Sequence, residues 1–137
     1  MKALTINQPW VYAILHEGKD IENRRWQTKY RGWIALHAGA KPHHIFKPPR
    51  GHSFPDLAEL DYSAICGVAR IADIVTKSRS KWLDRIDDGS VNYGWVLADV
   101  RALKKPIPCK GALSLWKVPP RIVREIKRQL PNLKLPS

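Results

Sequence analysis

The sequence predicts an α+β fold: a small β-barrel, or a strongly curved mixed sheet, of five to six mostly antiparallel strands flanked by one early and one late helix. Three observations carry this prediction. The apolar runs SAICGVARIADIVT and YGWVLADVRAL alternate and are rich in β-branched residues, which suits strands. The two helical patterns, PWVYAILHEG and PPRIVREIKRQLP, are short and bracketed by proline or glycine. The 137 residues, 44% of them hydrophobic, suffice for one compact core and are too few for two, so a single domain over residues 1–137 is expected. A barrel of this size is filled by its own side chains, so a ligand is expected at its mouth or in a groove beside it.

Taken in order, Ala3 to Ile6 reads as a short strand, and Pro9 suits the first turn of a helix. Trp10, Ala13, Ile14 and Glu17 follow the helical period, and Gly18 is a natural stop. DIENRRW is extended. WIALHA is a strand with Ile34 and Leu36 on one face and Trp33, Ala35 and His37 on the other. Prolines 42, 48, 49 and 55 make residues 39–56 a loop, with a short helix expected over Pro55 to Tyr62. SAICGVARIADIVT is a long strand bulged at Gly67. SRSKWLDRIDDGS is a polar connection that returns at Asp88-Gly89. YGWVLADVRAL and GALSLWKV are two further strands separated by a rigid KKPIPCKG. In the last helix, about 120–130, Ile122, Val123, Ile126 and Leu130 form one apolar stripe.

Composition narrows the function classes. No apolar run is long enough to span a membrane, and the N-terminal MKALTINQPW lacks the apolar core of a secretory signal, so a cytoplasmic location without membrane partners is expected. Cys66 and Cys109 form no C-x-x-C pair and read as reduced structural thiols. Lys and Arg outnumber Asp and Glu by 24 to 12, and from Arg101 onward ten basic residues meet one acid, Glu125. Nine of the twelve excess charges therefore sit in that last part, a polarity suited to a polyanionic partner. Six tryptophans supply flat rings on which bases can stack, although core packing is the commoner use of tryptophan.

The densest chemistry lies in EGKDIENRRW. If residues 20–24 are extended, Asp20, Glu22 and Arg24 share a face, with Lys19 at the corner before them. One reading is a solvated edge ladder worth at most about 1 kcal/mol. The other is a site in which Glu22 orients Lys19 and Arg24 toward a phosphate or base edge, or acts as a general base toward water.

This stretch, together with LTINQPW and YGWVLADVRALKKPIPCKGALSLWKVP, resembles an ASCH domain of the PUA-like superfamily, over about residues 3 to 119. That family's signature is a lysine, a glutamate three residues on and an arginine two further, with a glycine just upstream. Lys19, Glu22 and Arg24 fit it. The signature usually leaves one residue between glycine and lysine, whereas here Gly18 is adjacent and Glu17 takes the expected place. The resemblance implies a PUA-like β-barrel with a cleft into which the signature residues project, and RNA or another nucleic acid as partner. Some relatives are hydrolases: one branch acts on N4-acetylcytidine and another is ribonucleolytic. The amidohydrolase branch has a threonine, proposed as its nucleophile, where this chain has Glu22, which disfavours that mechanism here.

Around the signature, Trp10 either faces a ligand or fills the barrel mouth. Trp26 is a stacking candidate. His37 is a satisfied structural imidazole or a ligand contact. Gly94 permits close backbone approach, and Trp95 is expected in the core. His43, His44 and His52 lack partners at ligand spacing, so no metal or other cofactor is expected. No nucleophile elbow or glycine-rich phosphate loop occurs. On the last helix Arg121, Arg124, Lys127 and Arg128 are expected to meet nucleic acid. The leading expectation is an RNA-binding domain holding a nucleotide at Lys19, Glu22 and Arg24. The alternatives are a small hydrolase using Lys19 and Glu22 on RNA or a modified nucleoside, and a protein-interaction module.

Overall fold

The computed structural model describes residues 1–43 and 46–137. Its elements are β1 (Lys2–Ile6), α1 (Trp10–His16), β2 (Ile21–Arg24), β3 (Gly32–Ala38), β4 (Ala64–Val75), β5 (Tyr93–Pro108), β6 (Leu115–Lys117) and α2 (Pro120–Gln129). The strands form one mixed sheet in the order β2-β5-β4-β3-β1-β6. Among the described residues only β1 and β3 run parallel, and the other four pairings are antiparallel. The α+β class and the curved, mostly antiparallel sheet expected from the alternating runs are therefore present.

Alternation in the strands sorts the core onto two faces. Leu4 and Ile6 of β1 and Ile34, Leu36 and Ala38 of β3 pack with Val11 and Ile14 of α1. Their neighbours Ala3 and Ala35 face the other way, onto Ile122, Val123 and Ile126 of α2. The two helices thus cover opposite faces of the sheet.

Curvature comes from the β4–β5 pair, whose register slips three times, between Ile65 and Gly67, Val68 and Arg70, and Ile71 and Asp73. Each bulge bends the pair and increases its twist. The first leaves Cys66 as the extra residue against β3, one position before the expected Gly67. Gly67 has a different reason to be glycine: a Cβ there would lie 2.5 Å from the Arg101 carbonyl oxygen and 2.5 Å from a Leu15 methyl. The resulting curl brings β2, first in the sheet, against β1, fifth in it: the Arg24 guanidinium (Nη2) donates to the Thr5 carbonyl at 2.8 Å.

Three expectations are corrected. Pro55 to Tyr62 holds only a single 3-10 turn at Leu57–Glu59. KKPIP does not end a strand, because β5 runs through to Pro108. Its partner register jumps from Ala102 to Ile107, so residues 103–106 bulge out, which tolerates a proline that has no N–H to donate. Gln129 of α2 supplies bonds the ladder omits there, accepting from the Lys105 N–H at 3.0 Å and donating to its carbonyl at 2.9 Å. Finally, GALSLWKV contributes only Leu115–Lys117, since Ser114 turns with φ +58° just before it.

Candidate functional site

The end of β1 approaches β2 without pairing to it, and an open cleft of about 1280 Å³ lies along that seam. Thr5, Ile6 and Asn7 form one wall, and Glu22, Asn23 and Arg24 the other. Among the described residues its lining carries six cations, Lys19, Arg24, Arg25, Lys47, Arg50 and Lys81, against the two acids Glu22 and Asp84.

Lys19 reaches its place because α1 stops abruptly. Gly18 adopts φ +72°, a left-handed conformation that favours glycine, and the Lys19 N–H returns to the Ala13 carbonyl at 3.1 Å. The side chain is then 4% exposed. Its ammonium lies 5.3 Å from the ring centre of Trp10 and 5.6 Å from that of Trp82, and donates to the Ile21 carbonyl at 2.5 Å. Burial pushes its pKa below the ordinary lysine value, while the nearby Glu22, Asp84 and Asp20 carboxylates pull the other way. Two N–H directions of the ammonium remain without a protein acceptor among the described residues.

Glu22, 7% exposed, accepts from Arg24 Nε at 2.9 Å. Arg24 is therefore held at two points, by Glu22 and by Thr5, and its Nη1 has no protein acceptor among the described residues. The pairing of Glu22 with Arg24 that an edge ladder requires is present, but Lys19 and Glu22 are buried, so the group is not the solvated ladder of the first reading. Asp20 departs from the expected shared face. It precedes β2, is exposed, and accepts from Ser80 Oγ at 2.6 Å.

Trp82 was not singled out by sequence reasoning, although a lone tryptophan in the polar SRSKWLDRIDDGS is a signal that its ring packs elsewhere. Asn23 fastens that connection to β2: it donates to the Trp82 carbonyl at 2.9 Å and accepts from the Asp84 N–H and Asn92 Nδ2, each at 2.9 Å. Gly94, opposite Asn23 on β5, leaves room for Leu83, whose methyl would lie 2.7 Å from a Cβ there. Asn23→Ala is expected to lose about 1–3 kcal/mol, the cost of leaving such partners unmet. The Asp84 amide should lose hydrogen-exchange protection; full protection in the variant would show that Asn23 does not hold the loop.

The other expected residues divide. Trp10 lines the cleft and packs edge-on against Phe46 and Phe54, with centroids at 6.0 and 5.9 Å. Trp26 also lines it, edge-on to the buried Trp95 at 4.7 Å, and its carbonyl accepts from Trp95 Nε1 at 3.2 Å. His37 does not line the cleft. It is buried, with Nδ1 3.1 Å from Thr5 Oγ1 and Nε2 2.8 Å from the Cys109 carbonyl, so it acts as a structural imidazole. Burial lowers its pKa, and the bond to Cys109 opposes that.

Arg121, Arg124, Lys127 and Arg128 also lie away from the cleft, on the helix that covers the opposite face. Hydrogen bonds from Arg128 hold the half-buried Glu125 carboxyl down to about 2. Burial pushes the Cys66 thiol up to about 12, so it is not a nucleophile at neutral pH.

His43 packs on Trp10, and His52 lies 3.2 Å from Glu17 Oε1; the expectation for His44 falls outside the described residues. Among the described residues no cluster of His, Cys, Asp or Glu could hold a metal, and no helix is long and apolar enough to cross a membrane. The chain matches no protein-family model and no curated protein sequence.

Proposed function

We propose that the chain is an ASCH domain of the PUA-like superfamily, its half-barrel cleft binding single-stranded RNA with one nucleotide seated at Lys19, Glu22 and Arg24. The observation that carries this reading is the buried Lys19 ammonium, set between two indoles in a basic cleft with donor directions unused. An apolar side chain would fill that space at less cost to the fold, so a buried cation there is best explained by an anionic or carbonyl-bearing ligand. Lys19 and the free edge of Arg24 donate to a phosphate or base carbonyl. Glu22 accepts from an exocyclic amine, and the partly exposed rings of Trp10 and Trp26 offer stacking worth about 1–3 kcal/mol per base.

Affinity for a single-stranded RNA oligomer is expected to fall steeply with salt. With three or four phosphates neutralised, the slope of log K against log salt is about −2 to −3, at about 0.7 per phosphate. Binding indifferent to salt would overturn the reading, and no binding to any nucleic acid at low salt would favour a protein-interaction module.

A hydrolase is the second reading, favoured by the lowered pKa of Lys19 beside Glu22. It predicts that Glu22→Gln retains RNA affinity and abolishes turnover of RNA or an acylated nucleoside. No turnover by the unmodified protein leaves the binding module.

A further inference from the structure

We propose that the outer face of α2 is a second nucleic-acid contact, separate from the cleft, that takes the phosphate backbone of a double-stranded segment without reading its bases. The inference relies on the proposed function only for the chemical identity of the polyanion.

Its position comes first. α2 packs on the face of the sheet opposite α1, and none of its residues lines the cleft, so the basic helix is not an extension of the cleft wall. Charge comes second. Arg121, Arg124 and Arg128 are exposed at i, i+3 and i+7, which sets them along one stripe about 10 Å long. Glu125 is the one acid of the helix and is spent on Arg128, with Nε–Oε2 at 2.9 Å and Nη2–Oε1 at 2.6 Å. Arg121 and Arg124 have no acid partner among the described residues. A helix that accepts self-repulsion of this kind gains it back only against an external anion.

The chemistry of the surface selects among anions. The helix itself carries no aromatic residue, and the rings nearest it, Trp33 and Trp116, pack half-buried against its apolar cluster, so the basic stripe has no ring of its own on which an unpaired base could stack, in contrast to the cleft. The apolar stripe of the helix, Ile122, Val123 and Ile126, is buried against the sheet, which leaves nothing to insert into a lipid surface. Gln129 clamps the helix end to Lys105, so the cations are carried on a rigid support rather than a tail that folds on a strand. A rigid stripe of net positive charge with no ring of its own suits the regular phosphates of a duplex.

The test uses the full chain with a blunt-ended RNA duplex and a single strand of the same sequence. R121Q/R124Q alters two exposed side chains and is expected to melt at the unaltered temperature or slightly above it, since like charges are removed. It should weaken duplex binding about tenfold and make the salt slope shallower by about 2, at about 0.9 per lost phosphate contact. Arg121→Lys with Arg124→Lys keeps the charges and should restore both. Lys19→Met should leave duplex affinity unchanged while weakening the single strand.

Duplex affinity and slope unaltered in R121Q/R124Q would overturn the proposal, as would an equal loss of duplex binding in Lys19→Met, which would mean one continuous site. So would phosphatidylserine vesicles that bind the unmodified protein and not R121Q/R124Q, with duplex binding unaltered. Failure of the cleft reading looks different: single-strand affinity unmoved by Lys19→Met, with the duplex effects intact.

Discussion

Lys19→Met is expected to leave thermal stability unchanged or higher while weakening single-stranded RNA binding about tenfold or more, the loss of about 1.4 kcal/mol or more from the cleft. Methionine matches the length of the lysine stem and removes a charge that is 4% exposed. Two cation–π contacts of about 0.5–2 kcal/mol each and one hydrogen bond to Ile21 are lost with it. Against that, the desolvation of the ammonium, worth several kcal/mol, is relieved, and Glu22 is not orphaned because Arg24 still bonds it.

The same substitution should remove a pH dependence. A buried lysine with lowered pKa binds fewer protons folded than unfolded between that pKa and the ordinary value of 10.5. Its contribution to stability therefore rises with pH through that window, and the burial cost is fully felt below it. Stability measured against pH should rise more for the unmodified protein than for Lys19→Met over the alkaline range. A variant that melts several degrees lower and shows no such difference would make Lys19 a structural residue.

Trp95→Ala is expected to lose about 3–5 kcal/mol, the usual cost of emptying a large aromatic site in a core. A domain of 137 residues has a total stability of about 5–15 kcal/mol, so this one change takes the protein close to unfolding. Trp95 is fully buried, stands opposite Glu22 in the β2–β5 ladder, and donates to the Trp26 carbonyl. It therefore supports the strand that carries the cleft carboxylate and the loop that carries a cleft ring. Denaturant unfolding measures the loss. A change under about 1 kcal/mol would show that the site collapses around the missing ring and that Trp95 does not support the cleft.

Much of the fold is legible in local pattern. The alternation of β3 correctly places Ile34 and Leu36 together, because a strand turns every second side chain the same way whatever it pairs with. Gly18 marks the stop of α1, since its φ is one that other residues resist. The stripe of α2 identifies the residues it buries. Local pattern misleads where long-range partners intervene. KKPIP resembles a break, yet β5 passes through it because Gln129, on another element, bonds the backbone that the sheet leaves unpaired. Alternation puts Asp20 on the face of Glu22 and Arg24, yet it turns to Ser80, sixty residues away.

For the candidate site, the sequence alone determined which charges stand together: Lys19, Glu22 and Arg24 are separated by so few residues that any extended backbone keeps them close. It also determined that α2 is cationic on its outside. Only the tertiary structure decided that those three charges border a cleft, that the distant Trp82 joins Trp10 around Lys19, and that α2 lies on the far face. The reason is geometric. Bulges in β4 and β5 accumulate a curl that brings the first strand of the sheet to the fifth, and the sum of such bends is not written in any one stretch of residues.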